Sequence, residues 1–216
     1  MHPDDIEVIY RDDSLLVINK PSGLVVHRGW ARDPITVQDL ARKIVNTKVY
    51  PIHRLDRGTS GALLFGLGHE VARDLNAMFE DRRVEKRYIA LTKGIPEEEE
   101  GIVDRPLTRR SDGPRMPSYS MYRKVYSLEH NALVEDMPLT GRVHQVRRHL
   151  YHLGHAVIGD KAHGYRWHNH FHQENFGLER MALHAWYLSF PHPLSGEMII
   201  CKASLPKELA EPFAKL

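Results

Sequence analysis

The sequence predicts an α+β fold: a mixed, mostly antiparallel sheet flanked by helices. Three observations predict it. Short apolar or alternating runs outnumber helical stretches. Tight turns such as "RDDS" and "PHPLSG" separate several of these runs, as hairpins require. Strands and helices do not alternate regularly, which disfavours a purely parallel sheet.

The elements follow in order. "IEVIY" (6–10) and "LLVINK" (15–20) read as strands around "RDDS". "TVQDLARKIV" (36–45) reads as a helix capped by Thr36, with Asp39 three residues on. "GALLFGL" (61–67) is apolar throughout and reads as a buried strand. "HEVARDLNAMFEDRR" (69–83) carries Val71, Ala72, Leu75, Met78 and Phe79 on one face, an amphipathic helix. "VEKRYIALTKG" (84–94) reads as a strand ending at Gly94. Residues 95–117, rich in prolines and charges, read as irregular loop. "SYSMYRKVYSL" and "ALVEDMPL" read as paired strands. "GRVHQVRRHLYHLG" (141–154) reads as a helix stopped by Gly154. "MALHAWYLSF" and "EMIICKA" form a hairpin around "PHPLSG".

The chain has 216 residues, 42% of them hydrophobic, enough for one domain over 1–216 with a good core. The single Cys201 excludes an internal disulfide framework. The N-terminus shows no basic start followed by a long apolar stretch, and no apolar run approaches the roughly 20 residues of a membrane helix. A cytoplasmic protein with no membrane contact, and a monomer, is the expectation. Net charge is only +2, but residues 101–150 hold nine Lys/Arg against five Asp/Glu, and "EDRRVEKRY" (80–88) is basic too. Clustered cations with Tyr and His among them suit a polyanion, though a mixed solvated surface has the same composition.

Chemistry concentrates in "PIHRLDRGTSGALLFGLG" (51–68), where Asp56 stands between Arg54 and Arg57 at the start of the buried strand. A carboxylate flanked by guanidiniums stays ionised, and one held near apolar surface is poised to pair or to react. On the 141–154 helix, Val143, Val146, Leu150 and Leu153 fall within an arc of about 80°. Arg147 lies beside that arc, at the core edge, while Arg148, His149 and His152 fall on the other side. A guanidinium at a core edge wants a carboxylate, and Asp56 is a candidate; packing the stem and reaching water is the alternative. Tyr88 shares a strand face with Val84, Lys86 and Ala90. It is either a core tyrosine or a ring in a site. "HGYRWHNHFH" (163–172) alternates His168, His170 and His172, which on a strand would align three imidazoles for a metal. With Glu174 the one close carboxylate, a wet polar loop able to stack on bases or touch phosphates is the stronger reading. Phosphate loops and dinucleotide glycine patterns are absent.

"HRLDRGTSG" resembles the signature of the RluA-type pseudouridine synthases. "NKPSGLVVH", "EKRYIAL", "TGRVHQVRRHL", "HAVIGD" and "MALHAWYLSF" resemble that family's other blocks, in the same order, over roughly residues 6–205. "VVHRGW", "RRHLYHLGHAVIGDKAHG" and "FGLERMALHA" most resemble its tRNA-acting members. The resemblance implies a pseudouridine synthase fold without an S4-like RNA-binding domain, and no cofactor or metal. Asp56 would be the catalytic carboxylate, Tyr88 would lie against the flipped uracil, and Arg147 would pair with Asp56. Arg54 would fill the place of the departed base. Arg57, Arg142, His144 and Arg148 would serve RNA binding or base flipping. The expected substrate is a uridine in tRNA, in the acceptor-stem region. Ribosomal RNA, a non-catalytic RNA-binding module and a metal enzyme built on the 163–172 histidines are the alternatives.

Overall fold

The computed structural model describes residues 2–28, 33–108 and 113–216. In chain order the elements are β1 (Val8–Arg11), β2 (Leu15–Lys20), α1 (Val37–Val45), β3 (Tyr50–Pro51), β4 (Ser60–Gly66), α2 (His69–Glu80) and β5 (Glu85–Lys93). They continue with β6 (Glu100–Asp104), β7 (Leu107–Thr108), β8 (Arg115–Met116), β9 (Tyr119–Ser127), β10 (Asn131–Pro138), α3 (Gln145–His152) and α4 (Arg166–Phe176). β11 (Leu183–Pro191), β12 (Met198–Lys202) and α5 (Lys207–Phe213) complete them. The fold is α+β, with antiparallel pairing dominant. The chain divides into two compact units, one running to Glu85 and including Ala185–Leu205, the other comprising Lys86–His184 and Pro206–Leu216.

In the first unit the strand order is β1-β2-β4-β11, with β3 also on β4 and β12 on β11. β2 and β4 pair antiparallel from Leu15 opposite Gly66 to Lys20 opposite Gly61. Every residue of β4 is buried, as its apolar run predicts. α2 lays Ala72, Leu75 and Met78 into a core with Leu15, Val17, Leu64 and Phe190. Each such leucine, fully buried, stabilises by roughly 1.5–3 kcal/mol. α1 begins with the expected cap: the Thr36 hydroxyl accepts from the Asp39 N–H at 3.2 Å, and the Asp39 carboxylate accepts from the Thr36 N–H at 3.1 Å. At Gly61, φ is +120°, and a side chain would collide with the Ala185 carbonyl of β11. Only glycine lets the two backbones approach so closely there.

In the second unit the order is β5-β10-β9-β6, and β7-β8 form a separate pair. The register sets Tyr88 opposite Asp136, and Asp136 opposite Tyr122. α3 covers this sheet with Val146 and Leu150, which meet Ala90, Val134 and Tyr122. Leu209 of α5 joins Leu91, Ile158 and Leu178 in a second cluster.

Three expectations are corrected. Residues 95–117 are not all loop: β6, β7 and β8 lie within them. β6 is an edge strand in which Val103 alone is buried and Ile102 is 69% exposed, so its alternation carries little apolar signal. Residues 163–172 run into a helix, α4, that exposes most of its side chains and so lacks an apolar stripe. The helix expected over 141–154 begins only at Gln145, because His144 takes a left-handed conformation at φ 54°. Val143 therefore falls outside it, exposed, while His149, placed on the solvent side by the longer helix, is fully buried. Its ring bonds the Ser120 hydroxyl at 3.0 Å and the Arg105 carbonyl at 3.1 Å. Among the described residues, no helix is long and apolar enough to cross a membrane.

Candidate active site

Asp56 sits, half-buried, in a tight turn between β3 and β4, closed by the Thr59 N–H donating to the Asp56 carbonyl at 3.0 Å. The flanking Arg54 and Arg57 are exposed. The turn is clamped from several sides. The Lys20 ammonium is fully buried and donates to the Pro21 carbonyl at 2.7 Å, to Leu24 at 2.9 Å and to Arg57 at 3.4 Å. The Ser22 hydroxyl donates to the Gly58 carbonyl at 3.0 Å, and the Gly23 N–H to the Arg57 carbonyl at 2.8 Å. Arg57 holds Asp33 by two parallel bonds of 2.8 Å, and this guanidinium keeps the Asp33 carboxyl below the usual carboxylate range. A carboxylate on so tied a turn has a fixed position, which a reacting group requires. Lys20 is a residue whose importance the sequence reading missed. Its signal was a lysine ending a strand that opens with four apolar residues.

In the second unit, Tyr88 stands half-buried on β5 against the cluster that α3 covers. On the same strand face lies Lys86, and across from Tyr88 lies Asp136, fully buried. Burial pushes the Asp136 carboxyl up to about 8, against the opposing pull of the Ser120 hydroxyl and the Lys86 ammonium. Burial also lowers the Lys86 ammonium.

Arg147 of α3 is buried and forms a fork-to-fork pair with Asp160: Nε to Oδ2 at 2.7 Å and Nη2 to Oδ1 at 2.7 Å. Asp160 Oδ1 also accepts from the N–H groups of Ala162 at 2.9 Å and His163 at 3.0 Å. Burial raises the Asp160 carboxyl, but Arg147 and the two N–H groups outweigh it and leave it below the ordinary value. The sequence placed Arg147 at a core edge needing a carboxylate; the structure supplies Asp160 as one such partner.

The sequence profile described as RNA pseudouridylate synthase matches residues 14–152, a span that contains Lys20, Asp56, Tyr88 and Arg147. The chain belongs to that family.

This pseudouridine synthase, an isomerase of the RluA type, is 35% identical to the tRNA pseudouridine synthase C of Vibrio parahaemolyticus, with 100% of this chain and 96% of that protein covered. It is 37% identical to the protein of the same name from Haemophilus ducreyi, covering 94% and 93%. Among solved structures, human RNA pseudouridylate synthase domain containing 4 superposes with a TM-score of 0.81 at 26% identity, covering 97% of this chain and 92% of that one.

The remaining expected site residues of the synthase fall as follows. Arg142, exposed ahead of α3, donates to the Pro117 carbonyl at 3.2 Å. His144 stands at the N-terminal boundary of α3, its Nδ1 3.0 Å from Nε2 of His163. Arg148 is half-buried and donates to the Thr108 carbonyl at 2.8 Å, and burial lowers its guanidinium. It does not simply face solvent, as the helical wheel suggested. In the synthase the 163–172 histidines do not line up as three imidazoles on a strand. His170 is exposed, whereas His172 is buried and bonds Asn131 Oδ1 at 3.0 Å and the His168 carbonyl at 2.8 Å. Among the described residues, no group of three or more His, Cys, Asp or Glu could hold a metal ion. Arg109 and Arg110 of the basic segment, and Gly29 and Trp30 of "VVHRGW", lie outside the described residues.

Proposed function

We propose that this enzyme isomerises a uridine of tRNA, in the acceptor-stem region, with Asp56 as the catalytic carboxylate. The clamped turn that carries Asp56 is the observation that carries the catalytic part of this reading. The likeness over nearly the whole chain to proteins named tRNA pseudouridine synthase C supports the substrate.

The reaction breaks the N1–C1′ bond, turns the uracil and joins C5 to C1′; the C5 proton leaves and N1 gains one. Nothing is lost from the RNA, so no second substrate or cofactor is required. Asp56 either attacks C1′ or takes the C2′ proton to give a glycal, and both routes need it ionised. Arg147 supplies positive charge for that state, and Tyr88 lies against the flipped uracil. Extruding the base costs a few kcal/mol, least where the base is already unpaired. Arg54, exposed two residues from Asp56, offsets part of that by entering the gap. Arg57, Arg142, His144 and Arg148 hold the RNA. The enzyme acts as a cytoplasmic monomer and a single catalytic domain.

The test is to incubate the protein with tRNA and ribosomal RNA transcripts and map pseudouridine. Modification of a tRNA stem uridine is expected; modification of ribosomal RNA alone overturns the substrate. Asp56→Asn keeps the shape but removes nucleophile and base, so it should abolish the reaction with RNA binding within a few-fold. Pseudouridine formed by that variant in a single turnover removes Asp56 from the chemistry.

A further inference from the structure

α4 turns a row of rings to solvent. Trp167 and Phe171, four residues apart and so on one helix face, stack with centroids 5.7 Å apart and planes 18° from parallel. His168 meets Trp167 edge-on at 4.9 Å and Tyr165 at 6.0 Å. Tyr165 in turn lies 5.9 Å from Tyr151 of α3. The run is continuous, and it is open: Trp167 is 68% exposed, and Phe171, Tyr151 and Tyr165 are each close to 40%. α4 buries His172, which anchors it to Asn131, and leaves the rings outside.

Cations accompany the ladder. The Lys93 ammonium sits 4.8 Å over the Tyr165 ring, and Lys161 and Arg166 are exposed on either side of Tyr165 in sequence. Over residues 161–176 the one acidic residue is Glu174, which lies 3.9 Å from the His170 ring. A protein-binding patch is depleted of charge at its centre. Open π-faces interleaved with cations match the chemistry of unpaired nucleotides, whose bases stack and whose phosphates need positive charge.

Resting on the RNA-modifying activity above, we propose that the Tyr151–Tyr165–Trp167–Phe171 ladder is a stacking platform for unpaired nucleotides of the RNA substrate. Base–aromatic stacking tolerates any sequence, so the platform holds the RNA without selecting the uridine.

The test uses the full chain, a labelled single-stranded oligouridylate and a tRNA transcript, with affinity read by fluorescence anisotropy. Trp167→Ala with Phe171→Ala should weaken oligouridylate binding about tenfold or more. Binding of tRNA should weaken about five- to tenfold on the same grounds. The melting temperature should not move, because the rings are exposed. Trp167→Phe keeps a ring and should stay within about threefold of wild type, while losing the part of the RNA-induced tryptophan quench that belongs to Trp167. Unchanged oligouridylate affinity in the double variant overturns the proposal. So does a shift of that variant to a smaller species in sedimentation with RNA affinity intact, which would make the ladder a contact between copies. Pseudouridine mapping is scored separately. If wild type modifies no RNA, the enzymatic reading fails and the anisotropy still decides the ladder.

Discussion

Arg147 and Asp160 meet through two parallel hydrogen bonds of 2.7 Å inside the second unit. The planar guanidinium matches a carboxylate edge to edge, which a lysine cannot do. The pair holds the Nε edge of Arg147 and so orients its guanidinium.

Breaking the pair is therefore expected to cost both fold and reaction. Arg147→Ala leaves the buried Asp160 without its cation, held only by the Ala162 and His163 N–H groups, a loss of up to about 3–5 kcal/mol for a buried pair. Asp160→Asn should lower kcat while leaving RNA affinity within a few-fold, because Arg147 loses its orientation. The Asp160 carboxyl is depressed in the folded state, so its contribution is present above the ordinary carboxylate value near 4 and fades as pH falls below it. Denaturant melts of wild type and Asp160→Asn at about pH 7 and about pH 3 should converge at the acid end. A constant difference across that range would contradict the pair's role.

Asp136 predicts the opposite pH dependence. Its folded-state value, about 8, lies above the unfolded one near 4. Between these values the folded protein keeps the proton and the unfolded chain releases it, so wild type loses stability as pH rises through the window. Asp136→Asn, which cannot ionise, should melt higher than wild type at about pH 8 and like it near about pH 4. The check is melting temperature against pH for both proteins, and parallel curves would contradict it.

Lys20 ties the Asp56 turn to the end of β2. Lys20→Met fills similar space but leaves the Pro21 and Leu24 carbonyls without their donor, at about 1–3 kcal/mol for unsatisfied buried groups. A loosened turn should lower kcat more than it raises KM. Wild-type kcat in this variant would show that the clamp does not position Asp56.

Arg54 is exposed, so its removal should leave stability unchanged. Arg54→Ala should slow the reaction more on a uridine paired in a stem than on the same uridine in a single-stranded oligonucleotide, where no stack has to be broken. Single-turnover rates on the two substrates give the comparison. Equal losses on both would assign Arg54 to general RNA binding.

The sequence by itself determined the α+β class, most of the elements and the candidate residues. Runs such as "GALLFGL", the Thr36–Asp39 cap and the stripe of α2 are local patterns, and local patterns survive without tertiary context. The motif "HRLDRGTSG" singled out Asp56 because a carboxylate between arginines at the mouth of a buried strand is uncommon chemistry in a short span. Only the tertiary structure decided the partners. Asp160 lies 13 residues from Arg147 and bonds it at 2.7 Å, and Lys20 lies 37 residues from the Arg57 carbonyl it holds. Nothing periodic announces either contact. It likewise decided that residues 166–176 form a helix. That segment has no buried apolar stripe to read, since polar side chains hold it, His172 on Asn131 and Asn169 on the Gly159 and Asp160 backbone, and its rings stand open to water. Periodicity reports burial, and where a segment buries almost nothing, only the packed chain shows what it is.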